Sequence, residues 1–397
     1  MSVPRTGSRS DIEALIAAVR RVGAEVAAVH ADDVDRSARF PSEAFAALRR
    51  ERALAACVPR ALGGLGASTS EMALMTQALG ERCAATGLIF AMHLIQVGAI
   101  ARHGLSSAYL RRYLTEVAER QLLIASVTSE VGTGGDLRQS VCAVEPDPAG
   151  FRVKKSATTV SYAEHADDLL LTARRAPDAP GSDQVLVLLR SGGFSLERKG
   201  GWDTLGMRGT CSPPYEVSAT GSVEQILPAS FGDIAAQTMV PFSHILWAGV
   251  WLGIAEGAAA RARAFVRGEA KKKPGTPPPG ARGLGDLSAL VQLMRHNLHA
   301  VARTYDALVG PEGQAMNDEP TRVGFAVQIN NLKVSSSELV VDVVGRALAI
   351  CGMAGYRTSG KLSLSRHLRD AHSARLMINN ERIRENLAAM SLVQKDA

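Results

Sequence analysis

The chain has 397 residues, 46% of them hydrophobic and 21% charged, with a net charge of +6. This composition excludes a disordered chain, and the length suffices for two or three domains with a sizeable core. The charge is modest, the basic residues are scattered among acids, and aromatics make up only 5%, which excludes a basic, aromatic-laced nucleic-acid surface.

Ser10 followed by Glu13 resembles a capping box, and Ile12, Leu15, Ile16, Val19 and Val22 recur at helical spacing, so the chain is expected to open with an amphipathic helix. Pro41 and Ser42 start a second helical segment through Phe45, Leu48 and Leu54. The run from Val58 to Gly66 breaks the pattern with a proline and three glycines. Helix is expected again from Ser68 to Ala101, with small residues that let helices approach closely. His93, on a mostly apolar stretch, reads as a satisfied core histidine. From Leu122 the period changes. Leu122 to Val127, Val141 to Val144, Phe151 to Val153, Asp168 to Ala173, Gln184 to Arg190 and Tyr215 to Val223 are short β-prone runs separated by turn residues, as in an antiparallel barrel or sandwich. Helical period returns in four stretches, 245–265, 286–308, 321–351 and 369–390, lengths that suit a four-helix bundle. The basic, proline-rich run from Lys271 to Gly280 separates the first two as a solvated loop. The expected organisation is therefore α+β: a helical domain over 1–121, a β-barrel or sandwich over 122–232, and a four-helix bundle over 233–397.

Between the first two β-prone runs lies Ser129-Glu130-Val131-Gly132-Thr133-Gly134-Gly135-Asp136. Three glycines in four positions permit backbone angles closed to other residues and let main-chain N–H groups approach a phosphate or ring system closely. Cysteines at 57, 83, 142, 211 and 351 are isolated, odd in number and without ligand spacing, so free thiols are expected and no metal site is read. The first ten residues hold no apolar signal core, and no run of about 18 apolar residues is read. A cytoplasmic protein without membrane contact is expected.

The order helical, β, four-helix, together with four partial motifs, resembles the acyl-CoA dehydrogenase superfamily over nearly the whole chain. Val58 to Gly66 resembles its N-terminal Pro…Gly-Gly-x-Gly turn, and Ser129 to Asp136 its Thr-Glu-Pro-x-x-Gly-Ser-Asp flavin loop. Gly206-Met207-Arg208-Gly209-Thr210 resembles its Gly-Met-Arg-Gly-Thr segment. Gly352-Met353-Ala354-Gly355-Tyr356, followed by Arg366 and Arg369-Asp370-Ala371, resembles its C-terminal signature. The resemblance implies FAD held between the β domain and the bundle in a homodimer or homotetramer. Thr128, Ser129, Thr133, Gly134 and Ser161 are the implied cofactor-binding positions, with Arg267 near the FAD pyrophosphate. An extended apolar face at Leu339, Val340, Val343, Val344 and Leu348 also suggests self-association.

The chain departs from that pattern where chemistry is done. Thr159 stands at the flavin-stacking tryptophan and Ala349 at a cofactor-binding glutamine. The base that takes the α-proton of an acyl thioester is implied at Ile378 or, in a minority of relatives, at Ser243, beside His244, and neither is a carboxylate. Glu381, three residues past the first position, is the displaced candidate. The expected activity is FAD-dependent α,β-dehydrogenation of an acyl-CoA or carrier-protein-bound acyl thioester, with electrons passed to an electron-transfer flavoprotein. Two alternatives stay open: a flavin-dependent monooxygenase of the same fold, toward which Asp370 to Arg375 has some likeness, and a silent flavin-binding module.

Overall fold

The computed structural model describes residues 9–148, 150–310 and 318–393. The amphipathic spacing of Ile12, Leu15, Ile16, Val19 and Val22 produces α1 (Arg9–Val22), and all five side chains are buried. A π-helical turn over 23–27 joins it to α2 (Ala28–Arg36), and α3 (Ser42–Arg50) begins after Pro41. The break expected at 58–66 is a 3-10 turn closed by Gly63 at φ 90°. The single helix expected from 68 to 101 is two, α4 (Thr69–Arg82) and α5 (Ala84–His103), because Cys83 between them is extended at φ −146°. Ser68 and Glu71 cap α4 reciprocally, and α6 (Ala108–Arg120) completes this part.

Among the described residues seven strands follow: β1 (Ile124–Val127), β2 (Glu145–Asp147), β3 (Gly150–Ala157), β4 (Asp168–Arg174), β5 (Gln184–Leu189), β6 (Phe194–Arg198) and β7 (Tyr215–Gly221). They form two sheets, β1-β4-β5 and β2-β3-β7-β6. The wholly antiparallel arrangement expected is corrected here, since β1 runs parallel to β4, and no closed barrel forms among the described residues. A parallel pair needs a long connection, and the glycine-rich segment, β2 and β3 supply it. The β-prone run Val141 to Val144 makes only an isolated bridge from Ala143 to Arg174. The unforeseen β6 is an edge strand whose charged residues mask its alternation.

α7 (Phe231–Ile234) and a π-helical turn lead into α8 (Val240–Lys272), followed by α9 (Ala281–Val309), α10 (Val323–Cys351) and the single turn α11 (Met353–Tyr356). The fourth long helix expected over 369–390 is broken into α12 (Ser365–His372), a 3-10 turn, and α13 (Asn380–Val393). The break centres on Ile378 at φ 55°, and the helix restarts where Asn379 Oδ1 accepts the Glu381 N–H at 2.9 Å. Val340, Val343 and Val344 of α10 are buried within the chain and Leu339 and Leu348 are half-buried, so most of the face invoked for self-association is covered by the chain itself.

α8 joins the two helical parts by packing on α4 as well as α10. Gly249 and Gly253 make that contact close: a Cβ on Gly253 would lie 2.3 Å from the Gln77 carbonyl oxygen, and one on Gly249 would lie 2.5 Å from Thr76 Oγ1. Against the expectation from sequence, Ala84–His103 and Phe231–Lys272 are apolar over membrane-spanning length. Their apolar windows are 94% and 89% buried, which makes them core helices.

Candidate functional site

A cavity of about 700 Å³ opens where α5, the ends of β1 and β3, the 202–212 loop, α8 and the α12–α13 break converge. That volume lies within the roughly 300–1,000 Å³ typical of cofactor and ligand sites. One wall carries hydroxyls, from Ser126, Thr128, Ser129, Thr133, Ser161, Thr210 and Ser212. Much of the remaining lining is apolar, from Leu88, Met92 and Ile95 of α5, Met239, Trp247 of α8, and Leu376, Met377 and Ile378 of the helix break.

The glycine-rich loop is held rigidly beside this cavity by Glu130. Its carboxylate is 6% exposed and accepts from Ser140 Oγ at 2.7 Å, the Cys142 N–H at 2.6 Å and the Val141 N–H at 3.1 Å. Lys155, itself 1% exposed, pairs with Glu130 at 3.3 Å and donates to Thr172 through its carbonyl and hydroxyl oxygens at 2.7 and 2.8 Å. Burial pushes the Lys155 pKa down, while Glu130 pulls it back up. Glu130 therefore closes the loop on itself and is spent in doing so. Gly132, Gly134 and Gly135 all take positive φ, so the glycines are needed for the turn. From the other side, Arg382 of α13 donates to the Gly134 carbonyl at 2.8 Å.

The 202–212 loop is tied to α12. The Met207 N–H donates to Asp370 Oδ1 at 2.7 Å, and burial raises the Asp370 pKa to about 6. Arg369 lines the cavity, but its guanidinium is engaged by the Asp35 carboxylate and by the Leu205 carbonyl at 3.0 Å. No lysine is among the lining residues, and Asp136 is the sole carboxylate there, its pKa held low by hydrogen bonds from Arg138.

The structure gathers four of the sequence-derived cofactor positions, Thr128, Ser129, Thr133 and Ser161, onto one wall. Ser129 Oγ donates to the Thr159 carbonyl at 2.7 Å, and Thr133 Oγ1 donates to the Glu130 carbonyl at 3.1 Å. Gly134 is not among the lining residues, and a Cβ there would meet nothing within 4 Å. Arg267 is not brought in. It is exposed on α8, 20 residues beyond Trp247, a rise of about 30 Å along a helix. Glu381 is also outside the cavity lining: its side chain is 71% exposed and pairs with Arg384, because the restarted helix turns it to solvent. Ile378 and Ser243, by contrast, both line the cavity.

His93 is buried, donating from Nε2 to the Leu54 carbonyl at 2.7 Å and accepting the Ile124 N–H at Nδ1 at 3.1 Å. It is a neutral structural strut, with its pKa pushed down by burial to about 4. His244 is likewise buried, with its pKa driven to about 3. His372, which the sequence offered only inside the segment Asp370 to Arg375, reaches the cavity, as do Ser212 and Trp247, which the sequence did not single out. The position of Ser212 just after the Gly-Met-Arg-Gly-Thr segment could have signalled it.

The acyl-CoA dehydrogenase N-terminal domain matches residues 9–144, and the acyl-CoA dehydrogenase C-terminal domain matches residues 232–392. The chain is 28% identical over 390 residues to an L-evernosamine nitrososynthase of a Micromonospora strain, covering 93% of this chain and 86% of that protein. It is 25% identical over 343 residues to a dibenzothiophene monooxygenase of Mycolicibacterium goodii, covering 81% and 80%. An FMN-bound dibenzothiophene monooxygenase from Paenibacillus sp. A11-2 has the same fold, with a TM-score of 0.82 at 19% identity over 97% of this chain and 98% of its own.

Proposed function

The chain belongs to the acyl-CoA dehydrogenase family, and on that premise we propose that it is a flavin-dependent monooxygenase acting on an uncharged, largely apolar substrate with an oxidisable heteroatom. One observation carries the reading. Both positions at which the family resemblance implies a catalytic glutamate, Ile378 and Ser243, face the cavity without a carboxylate. Abstraction of an α-proton needs a base within hydrogen-bond reach, and Glu381 is turned to solvent. The relatives support the same direction, since those named above are a nitrososynthase and a monooxygenase.

The residues present fit a flavin. The wall offers short hydroxyls, and the cavity has the volume for a planar ring system beside a second molecule. A flavin held there by Ser126, Thr128 and Ser161 would, when reduced, supply two electrons for the reduction of dioxygen, with one oxygen atom going to the substrate and the other to water. The chain's own part is to hold and exclude. Ser126, Thr128 and Ser161 present polar contacts, while Met92, Met239, Met377 and Trp247 offer a soft apolar surface. Arg369, already paired with Asp35, leaves no free guanidinium among the lining residues for an anionic substrate. FMN is the proposed form, in keeping with the FMN-bound monooxygenase of the same fold. A homodimer or homotetramer is proposed on Met353, Tyr356 and Leu392, large apolar side chains left 68–88% exposed; light scattering decides it.

The test supplies the protein with FMN, NADH and a separate flavin reductase, and offers dibenzothiophene and indole as probes. Oxygenated product with matching oxygen uptake is expected, and anaerobic butanoyl- or octanoyl-CoA should leave the oxidised flavin colour intact. Bleaching by either thioester, with no oxygenated product, restores the dehydrogenase reading.

A further inference from the structure

Three hydroxyls form a chain within the cavity wall. Ser212 Oγ donates to Ser161 Oγ at 2.8 Å, and Thr210 Oγ1 lies 2.8 Å from Ser212 Oγ, with either able to donate. At the inner end two carbonyls compete for the same protons: Thr210 Oγ1 reaches the Met207 carbonyl at 2.9 Å, and Ser212 Oγ lies 3.3 Å from the Thr210 carbonyl. Thr210 and Ser212 are 2% and 3% exposed, so water does not enter the chain from behind.

Each hydroxyl owns one proton and two acceptor sites. When Thr210 donates to Ser212, Ser212 donates to Ser161, and the Ser161 proton is left to point into the cavity. When Thr210 turns to the Met207 carbonyl, or Ser212 to the Thr210 carbonyl, the Ser161 proton can turn inward to Ser212, leaving its lone pairs toward the cavity. The oxygens need not move. The Met207 carbonyl also receives the Thr210 N–H at 3.1 Å and Trp202 Nε1 at 3.3 Å, so it is satisfied when Thr210 turns away. Neither arrangement strands a buried acceptor, which keeps the two close in free energy.

We propose that Thr210, Ser212 and Ser161 are a reversible hydrogen-bond array that lets Ser161 serve one ligand atom both without and with its hydrogen, Thr210 and Ser212 being positioning residues for a redox-active ring. This rests on the flavin reading above, because a flavin ring nitrogen accepts a hydrogen bond when oxidised and carries a hydrogen when reduced. The array does not deliver a net proton, since its inner end closes on carbonyls. Its work is to present the matching group to each state.

The two arrangements depend differently on Thr210. Without that hydroxyl the outward arrangement loses the donor to Ser212, whereas the inward one keeps the Thr210 carbonyl as its sink. Dissociation constants for oxidised FMN, from quenching of flavin fluorescence, and for FMN reduced anaerobically with dithionite are to be measured on the purified protein. Thr210→Val is expected to weaken oxidised FMN roughly five-fold more than reduced FMN, the equivalent of one hydrogen bond of about 1 kcal/mol, and Thr210→Ser is expected to restore the wild-type ratio. Thr210→Ala reads the same ratio if the valine variant does not fold. An equal loss for both states, or a ratio that serine does not restore, overturns the array alone. Wild-type protein that quenches neither FMN nor FAD overturns the flavin reading and the array with it.

Discussion

The buried ammonium of Lys333 donates to the carbonyl oxygen of Ile378, 45 residues further along the chain. The same nitrogen donates to Asn380 Oδ1 at 2.6 Å, and Asn380 in turn donates from Nδ2 to Ser337 Oγ at 3.0 Å. α10 thus reaches across to fix the part of the cavity wall that lies in the break between α12 and α13. Ile378 is held at φ 55°, a region that disfavours β-branched residues.

Removing that cation should loosen the wall. Lys333→Met leaves the Ile378 carbonyl without that donor and Asn380 Oδ1 with Ser337 Oγ at 3.3 Å, at about 1–3 kcal/mol for one buried group left unpaired. Urea unfolding at neutral pH is expected to show a loss in that range. Amide exchange at residues 376–380 is expected to rise more than in α9. A uniform rise across the bundle would mean that Lys333 supports the core rather than this segment.

Glu130 provides the second test. It looks like a motif residue for cofactor contact, yet its carboxylate is taken up by Ser140, Val141, Cys142 and Lys155. Glu130→Ala leaves a buried, unpaired lysine and is expected to destabilise by about 3–5 kcal/mol, as when one side of a buried pair is removed. Glu130→Ala with Lys155→Met should recover part of that loss in the same denaturation assay. A double variant as unstable as the single one would show that the loop geometry, rather than the stranded charge, sets the cost.

The pH dependence follows from His93. Its pKa lies near 4 in the fold, below the ordinary value of 6.5, because burial disfavours the charged ring. Between those values the unfolded chain binds more protons, so stability is fully present above pH 6.5 and is lost as pH falls toward 4. His103, also near 4, and His244, near 3, add to the same slope. His93→Gln is expected to be less stable than wild type at pH 7 and to lose less stability between pH 6.5 and 5. Parallel curves for the two proteins would remove His93 from the acid response.

The parts of this molecule that local chemistry determines were legible in its sequence. Alternation and helical period placed α1, β4, β7 and α10 to within a few residues, and found β3, α8 and α9 with ends drawn several residues short. The three glycines marked the loop that now flanks the cavity, because positive φ is a local demand. Glu381 and Arg267 were not legible in the same way. Whether Glu381 faces a site depends on where a helix restarts, and that is set by Asn379 and by Lys333 on another helix. Whether Arg267 faces it depends on the unbroken run of a 33-residue helix, which carries the side chain away from the cavity. The parallel pairing of β1 with β4 is equally non-local, since no residue in either strand encodes the direction of its partner.

Two glycines separate a conformational requirement from a packing one. Gly134 has φ 59° with nothing within 4 Å of a built Cβ, so Gly134→Ala meets only the left-handed backbone penalty of roughly 1–2 kcal/mol. Gly206 sits where a Cβ would come 2.2 Å from the Arg369 carbonyl oxygen and 2.7 Å from the Asp370 nitrogen, both backbone atoms. Gly206→Ala must therefore push the 202–212 loop away from α12 and stretch the hydrogen bond from the Met207 N–H to Asp370 Oδ1. Its expected loss is about 3 kcal/mol, the upper end of the range for overpacking. FMN affinity should fall further for Gly206→Ala than for Gly134→Ala, because Met207, Thr210 and Ser212 on the displaced loop line the cavity whereas Gly134 does not. Thermal unfolding and flavin fluorescence on the two variants decide it, and the reverse order in either measurement would show that the 202–212 loop is not what holds the cavity wall in place.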